Sequence, residues 1–97
     1  MNQIICDAIN NRKILMFTYH THPRVIQPHA YGLSLRRHEV IRGYQVGGTS
    51  GSGRIPCWRL FEVNEIIALI VTQEHFLSEA NGYARGDKDI STIFCEL

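Results

Sequence analysis

The sequence has no apolar run near the ~20 residues that cross a bilayer as a helix. Its first residues, Met1-Asn-Gln-Ile-Ile-Cys-Asp7, lack the basic and apolar regions of a secretory leader. A cytosolic protein is the expectation. Cysteine is scarce: Cys6, Cys57 and Cys95 are an odd set, far apart, with no Cys-x-x-Cys pair. Neither a disulfide framework nor a zinc site is indicated, and buried free thiols are expected. There is no P-loop lysine, acid pair, nucleophile elbow or internal repeat. The histidines lack metal-ligand spacing outside His20-Thr-His22, so no metal or cofactor is expected. Catalysis has one weak candidate, Cys57 with a histidine, and the expectation is that the chain is not an enzyme. His29, after Pro28 in a strand, reads as a hydrogen-bonded structural histidine, in competition with a pH-sensitive ligand donor.

What is present fits one folded domain. The chain has 97 residues, 44% of them apolar and 20% charged, a composition that excludes global disorder. A net charge of +1 hides an asymmetry. Residues 1–61 carry eight basic side chains against Asp7 and Glu39, a net +6. Residues 62–97 carry Arg85 and Lys88 against seven acids, a net −5. Either the basic part forms an anion-attracting surface, or the two parts pair with each other in the fold.

Apolar periodicity at Ile4, Ile5, Ala8 and Ile9 predicts a helix over residues 3–12, capped by Asn2, with Arg12 and Lys13 at its negative end. Strands follow at 14–20, 24–35, 39–46, 57–63 and 66–72. Turns are expected at Thr21-His22-Pro23, Arg36-Arg37-His38 and Asn64-Glu65, and a helical turn at 73–77. Pro28 and Gly32 imply an edge, bend or bulge in the second strand. One helix and five hairpin-spaced strands suit a small, bent antiparallel barrel over residues 1–80. Residues 81–89 read as an exposed linker. Residues 90–97 read as a last strand against an open edge, or as an arm docking on another subunit.

The stretch 40–63 carries the chemistry. Arg42 lies between Val40 and Tyr44 on one parity, and Arg59 shares a face with Cys57 and Phe61. An arginine beside apolar neighbours needs a partner, and its planar fork suits carboxylate or phosphate. The competing reading pairs Arg42 or Arg59 with Glu39 or Glu62 on the sheet surface. Between the strands, Gly47-Gly-Thr-Ser-Gly-Ser-Gly53 offers backbone amides and hydroxyls to an anion, or is simply a flexible hairpin connection. Tyr19, Tyr31, Tyr44 and Trp58 interleave with Arg24, Arg36, Arg37 and Arg42, a mixture that serves a single-stranded nucleic-acid surface or a small core.

These residues occur in an order that resembles the WYL domain family over about residues 3–76. The helix Ile4-Ile-Cys-Asp-Ala-Ile9 is followed by Arg12 and a strand ending at Tyr19. Arg24-Val-Ile-Gln-Pro28 is similar to the family's Arg-x-Val-Glu-Pro. Arg59-Leu-Phe61 with Ile66 is similar to its Arg-x-Phe-x-x-x-x-Ile. The family's Trp-Tyr-Leu triplet falls on Glu39-Val40-Ile41, and a stand-alone domain without the family's usual winged helix ahead of it is the expectation. The resemblance implies an Sm-like, SH3-type barrel acting as a ligand-sensing regulatory module in bacteria. Its ligand would be a nucleotide or nucleic acid held in a basic pocket. The expected ligand-binding residues are Arg59, Arg42, Arg54, Tyr44, Ser50, Ser52 and Arg24. The alternative is an interaction or oligomerisation module using an edge strand or the C-terminal tail.

Overall fold

Asn2 starts the first element. Its Oδ1 accepts from the amides of Ile4 at 2.9 Å and Ile5 at 3.4 Å, capping helix α1, Gln3–Asn10. The computed structural model describes residues 1–97. Ile5, Cys6, Ala8 and Ile9 are the buried face of α1. The helix stops short of the expected residue 12, because Arg12 takes a positive φ of 51°. Arg12 and Lys13 therefore lie beyond its last turn, and Arg12 reaches Glu79 at 3.5 Å instead.

Six strands follow: β1 Lys13–Tyr19, β2 His22–Leu33, β3 Glu39–Gly48, β4 Cys57–Glu62, β5 Ile67–His75 and β6 Thr92–Glu96. They form one antiparallel sheet in the order β4-β3-β2-β1-β5, with β6 also on β2. The fold is mainly β, and the path is open, with β4 and β5 at its ends. The β1–β2 turn is tighter than expected. His20 and Thr21 take φ of 49° and 66°, as in a type I′ hairpin, and His22 and Pro23 already belong to the strand. The helical turn expected at 73–77 is not formed. β5 runs on to His75, and the buried Phe76 donates its amide to the Arg12 carbonyl at 3.0 Å.

β2 explains the sixth strand. Its first half, His22–Ile26, pairs with β1, and its second half, Ala30–Leu33, pairs with β6 along the same edge. A bulge separates the halves between Pro28 and Ala30, where proline has no N–H to continue a ladder. Gly32 lets β6 in. A Cβ there would overlap the Thr92 carbonyl oxygen and sit 2.6 Å from Ile90 Cγ2. Thr92–Glu96, within the expected 90–97, is thus a strand of the same sheet. Residues 81–89 are exposed at all but Tyr83 and Asp87, and two contacts tie them to the sheet: Trp58 Nε1 donates to the Asn81 carbonyl at 3.0 Å, and the Asp87 side chain is nearly buried.

Cys6 and Cys95 are joined by a disulfide, with Cα atoms 5.7 Å apart, and only Cys57 is free. This overturns the expectation of three free thiols. A separation of 89 residues carries no pairing signal, but α1 and β6 flank the same part of β2 and bring the two sulfurs together. The bond also removes the cysteine argument for a reducing compartment. No helix is long and apolar enough to cross a membrane.

Period-2 alternation gives the sheet two apolar faces. Under α1, Leu15, Phe17, Ile26, Tyr31, Ile41 and Phe61 join Ile5 and Ile9 in the main core. On the other parity, Ala30, Val40 and Ile90 form a smaller cluster with Leu60 and Ile93. Two of those five residues, Ile90 and Ile93, come from the segment that follows β5.

Candidate functional site

Arg24 and Arg59 meet on the inner parity of the sheet. Arg24 is 6% exposed and occupies the β2 position opposite Phe17 and Gly48. Its Nε and Nη2 donate to the Tyr19 carbonyl at 3.3 and 3.0 Å, and its Nη1 donates to Gln45 Oε1 at 3.1 Å. Gln45 is fully buried and donates in turn to the carbonyls of Gly47 and Thr49, both at 3.0 Å. The guanidinium carbon lies 5.6 Å from the Tyr19 ring centre and 5.7 Å from that of Phe61, within cation–π range.

Arg59 faces the hairpin loop. Its Nη2 donates to Ser50 Oγ at 2.8 Å, Ser52 Oγ at 2.9 Å and the Arg54 carbonyl at 3.1 Å. Its Nε is buried without a partner. Ser50 and Ser52 are therefore brought to Arg59, as their place in the sequence suggested. They sit there as oxygen acceptors. The Gly53 and Arg54 amides turn inward to Ser50 Oγ and Ser52 Oγ, at 3.1 and 3.4 Å, rather than towards a ligand. Arg54 presents its carbonyl to the cluster, and its side chain is exposed and forms no ion pair.

Neither Arg24 nor Arg59 has a carboxylate partner. The expected surface pairings with Glu39 and Glu62 do not form for either Arg42 or Arg59. Glu39 accepts from the Tyr31 hydroxyl, and Glu62 takes His38. Burial, and then the positive charge of Arg59, pull the Arg24 pKa below its usual value. Burial pushes the Tyr19 hydroxyl upward. The two arginines open into a cavity of about 350 Å³ along the free edge of β4. Its walls are Tyr19, His20, Arg24 and Arg42, closed by Trp58-Arg59-Leu60-Phe61. Because consecutive β4 residues line it, the cavity is reached from both faces of that edge strand, so Arg42 contributes despite its opposite parity.

Arg42 is the exception among the three arginines. Its Nε donates to Asp87 Oδ2 at 2.6 Å, and its Nη2 donates to Asp89 Oδ2 at 2.7 Å. Burial lowers its pKa, but the bonds to Asp87 and Asp89 outweigh that and raise it overall. Part of the charge asymmetry is thus internal pairing: Arg42 with Asp87 and Asp89, and Arg12 with Glu79. Tyr44 is not brought to the cleft. It packs on Trp58 with ring centres 5.0 Å apart, and Tyr31 is fully buried in the core. Arg36 and Arg37 stay exposed in the β2–β3 turn.

Gln45 escaped the sequence reading. A signal was available, because it is the one polar residue in the inward series Ile41-Gly43-Gln45. His29 takes its structural reading: Nε2 accepts from the Ala80 amide at 2.9 Å, so Nδ1 carries the proton donated to the Gln27 carbonyl at 2.8 Å. No group of three or more acids, histidines or cysteines is placed to hold a metal ion. No protein-family model matches this chain, and neither a curated protein nor a solved structure is similar to it.

Proposed function

We propose that this chain is a non-enzymatic ligand-sensing domain of the WYL type. Its sheet would form an Sm-like, SH3-type barrel, and its cleft would bind a phosphate-bearing ligand, a nucleotide or single-stranded nucleic acid. One observation carries the reading. Arg24 and Arg59 share a cleft, and both point their donors at neutral oxygens with no carboxylate between them. Two adjacent guanidinium groups repel each other, and an anion between them would relieve that repulsion. The Ser50 and Ser52 hydroxyls accept from Arg59 where phosphate oxygens would, and a ligand would displace them. Trp58 lines the same cleft, and its ring is already packed by Tyr83, Tyr44 and His29, so the charge pairing and not stacking supports the reading. The strand order, a β1–β4 meander with β5 returning to β1, supports the barrel family.

Fluorescence anisotropy with labelled oligonucleotides at low salt, and calorimetry with nucleotides, test the reading. Binding is expected, with log K falling against log salt at about −0.7 per phosphate contact for a single strand. Arg59→Ala should abolish it. Equal binding by wild type and Arg59→Ala, or none by wild type, sinks the proposal.

A second reading, an oligomerisation module, rests on β5. This terminal strand leaves one edge unpaired, with Ile67 64% and Ile70 55% exposed. Sedimentation should then find a dimer or larger species that Ile70→Lys dissociates, and a monomeric wild type removes this reading.

A further inference from the structure

We propose that the acidic turn Asp87–Asp89 is an internal competitor that occupies Arg42 and restrains anion binding in the adjoining cleft. The inference rests on the anion-binding reading above. Of the three arginines lining the cleft, only Arg42 meets carboxylates. It meets them as it would meet a phosphate. Nε and Nη2 grip Asp87 through Oδ2 and Oδ1 at 2.6 and 3.3 Å, and Nη2 also reaches Asp89 at 2.7 Å. Arg42 also lines a second cavity of about 220 Å³, walled by Trp58, Tyr83 and Asp87. Trp58 and Arg42 belong to both cavities, so the acidic turn meets the cleft through Arg42.

The turn is shaped for this contact. The Asp89 amide donates to Asp87 Oδ1 at 2.9 Å, which aims both carboxylates at one guanidinium. Its flanks are anchored independently of Arg42. Upstream, Trp58 holds the Asn81 carbonyl. Downstream, β6 pairs with β2, and Cys95 is bonded to Cys6. Gly82 and Gly86, at φ of 89° and 75°, lie between the anchors and on either side of Tyr83. The strand that follows is thus held by bonds other than those to Arg42. A phosphate entering beside Arg24 and Arg59 gains a third guanidinium only by displacing Asp87 and Asp89. Their departure also removes two negative charges from beside Arg42.

The test is calorimetric titration with inorganic pyrophosphate at low salt. It compares wild type, Asp89→Asn, Asp87→Asn/Asp89→Asn and Arg59→Ala. The double variant should bind at least about fivefold more tightly than wild type, and the single variant should fall between them. A folded double variant that binds no more tightly than wild type overturns the inference and leaves the cleft reading intact. Absence of binding by every protein overturns both. Thermal melts report whether the double variant folds. If it does not, hydrogen exchange on wild type decides. Pyrophosphate should speed exchange of the Asp89 amide, and unchanged or slower exchange overturns the inference.

Discussion

Cys6 on the first helix is bonded to Cys95 on the last strand, closing a loop of 89 residues. The link binds α1 to β6 and fastens β6 beside the second half of β2. A cross-link over so long a loop removes much conformational freedom from the unfolded chain. The variant Cys6→Ser/Cys95→Ser should lose about 2–5 kcal/mol, read from urea unfolding. Thiol titration of the denatured wild type should find Cys57 alone. Three reactive thiols, or identical unfolding with and without dithiothreitol, would show that the bond does not form in solution.

His29 accepts the Ala80 amide on Nε2, which keeps that nitrogen unprotonated, and its ring stands 4.9 Å from Tyr83 and 5.3 Å from Phe76. Burial lowers its pKa, opposed by the Gln27 carbonyl and Glu79 and reinforced by Arg12. A lowered histidine pKa means the unfolded chain binds the proton first. Its contribution to stability is therefore complete above the unfolded value, about 6.5. It is lost as pH falls from there through the folded value, at up to about 1.4 kcal/mol per pH unit. His29→Gln should be less stable at neutral pH and should flatten that slope between pH 7 and 5. An unchanged slope would assign the proton elsewhere.

Asp87 gives a second, more acidic signature. Burial raises its pKa, but the bond from Arg42 and the Asp89 amide outweigh that and hold it below the usual range. Its stabilising effect is present above about pH 4, the unfolded carboxylate value, and is lost as pH falls through the lower folded value. Asp87→Asn should remove this part of the acid unfolding profile. A variant titrating like wild type below pH 4 would contradict it.

Arg24→Met should cost about 1–3 kcal/mol by leaving Gln45 Oε1 and the Tyr19 carbonyl without their donor. It should weaken anion binding as well. Arg54→Ala, whose side chain is exposed and forms no ion pair, should leave stability within about 0.5 kcal/mol. Chemical denaturation separates the two, and equal stability losses would count against the buried network.

Gly32→Val tests the docking of β6. The added Cβ would overlap the Thr92 carbonyl and press on Ile90. A loss of about 1–3 kcal/mol is expected, with faster hydrogen exchange confined to residues 90–97. Uniform exchange along the chain would argue against a separable sixth strand.

The strands were legible where alternation and turn residues agree: 39–46 and 57–63 were expected, and Glu39–Gly48 and Cys57–Glu62 are found. They were misread where the deciding contact is distant. Residues 73–75 read locally as a helical turn, yet they continue β5, with His75 opposite Lys13 in β1. The tail reads as an exposed linker from its glycines and charges. It is largely exposed, and what its local pattern does not signal is that Asp87 and Asp89 meet Arg42. Of the candidate site, Arg59 with Ser50 and Ser52 was visible because all three lie within one hairpin. Gln45 and the Arg24–Gln45 bond were not, because that bond crosses between strands separated by 21 positions.

By itself, the sequence determined the capped helix, the first five strands and the arginine-bearing hairpin, since period, caps and turn chemistry act over a few residues. Only the tertiary structure decided the rest: the open path of the sheet, the sixth strand, the Cys6–Cys95 bond, and which arginines keep a carboxylate. Those outcomes depend on which distant groups burial forces together. Arg42 was neutralised and Arg24 and Arg59 were not, because the acidic turn docks on one face of the β3–β4 hairpin while those two arginines lie on the other.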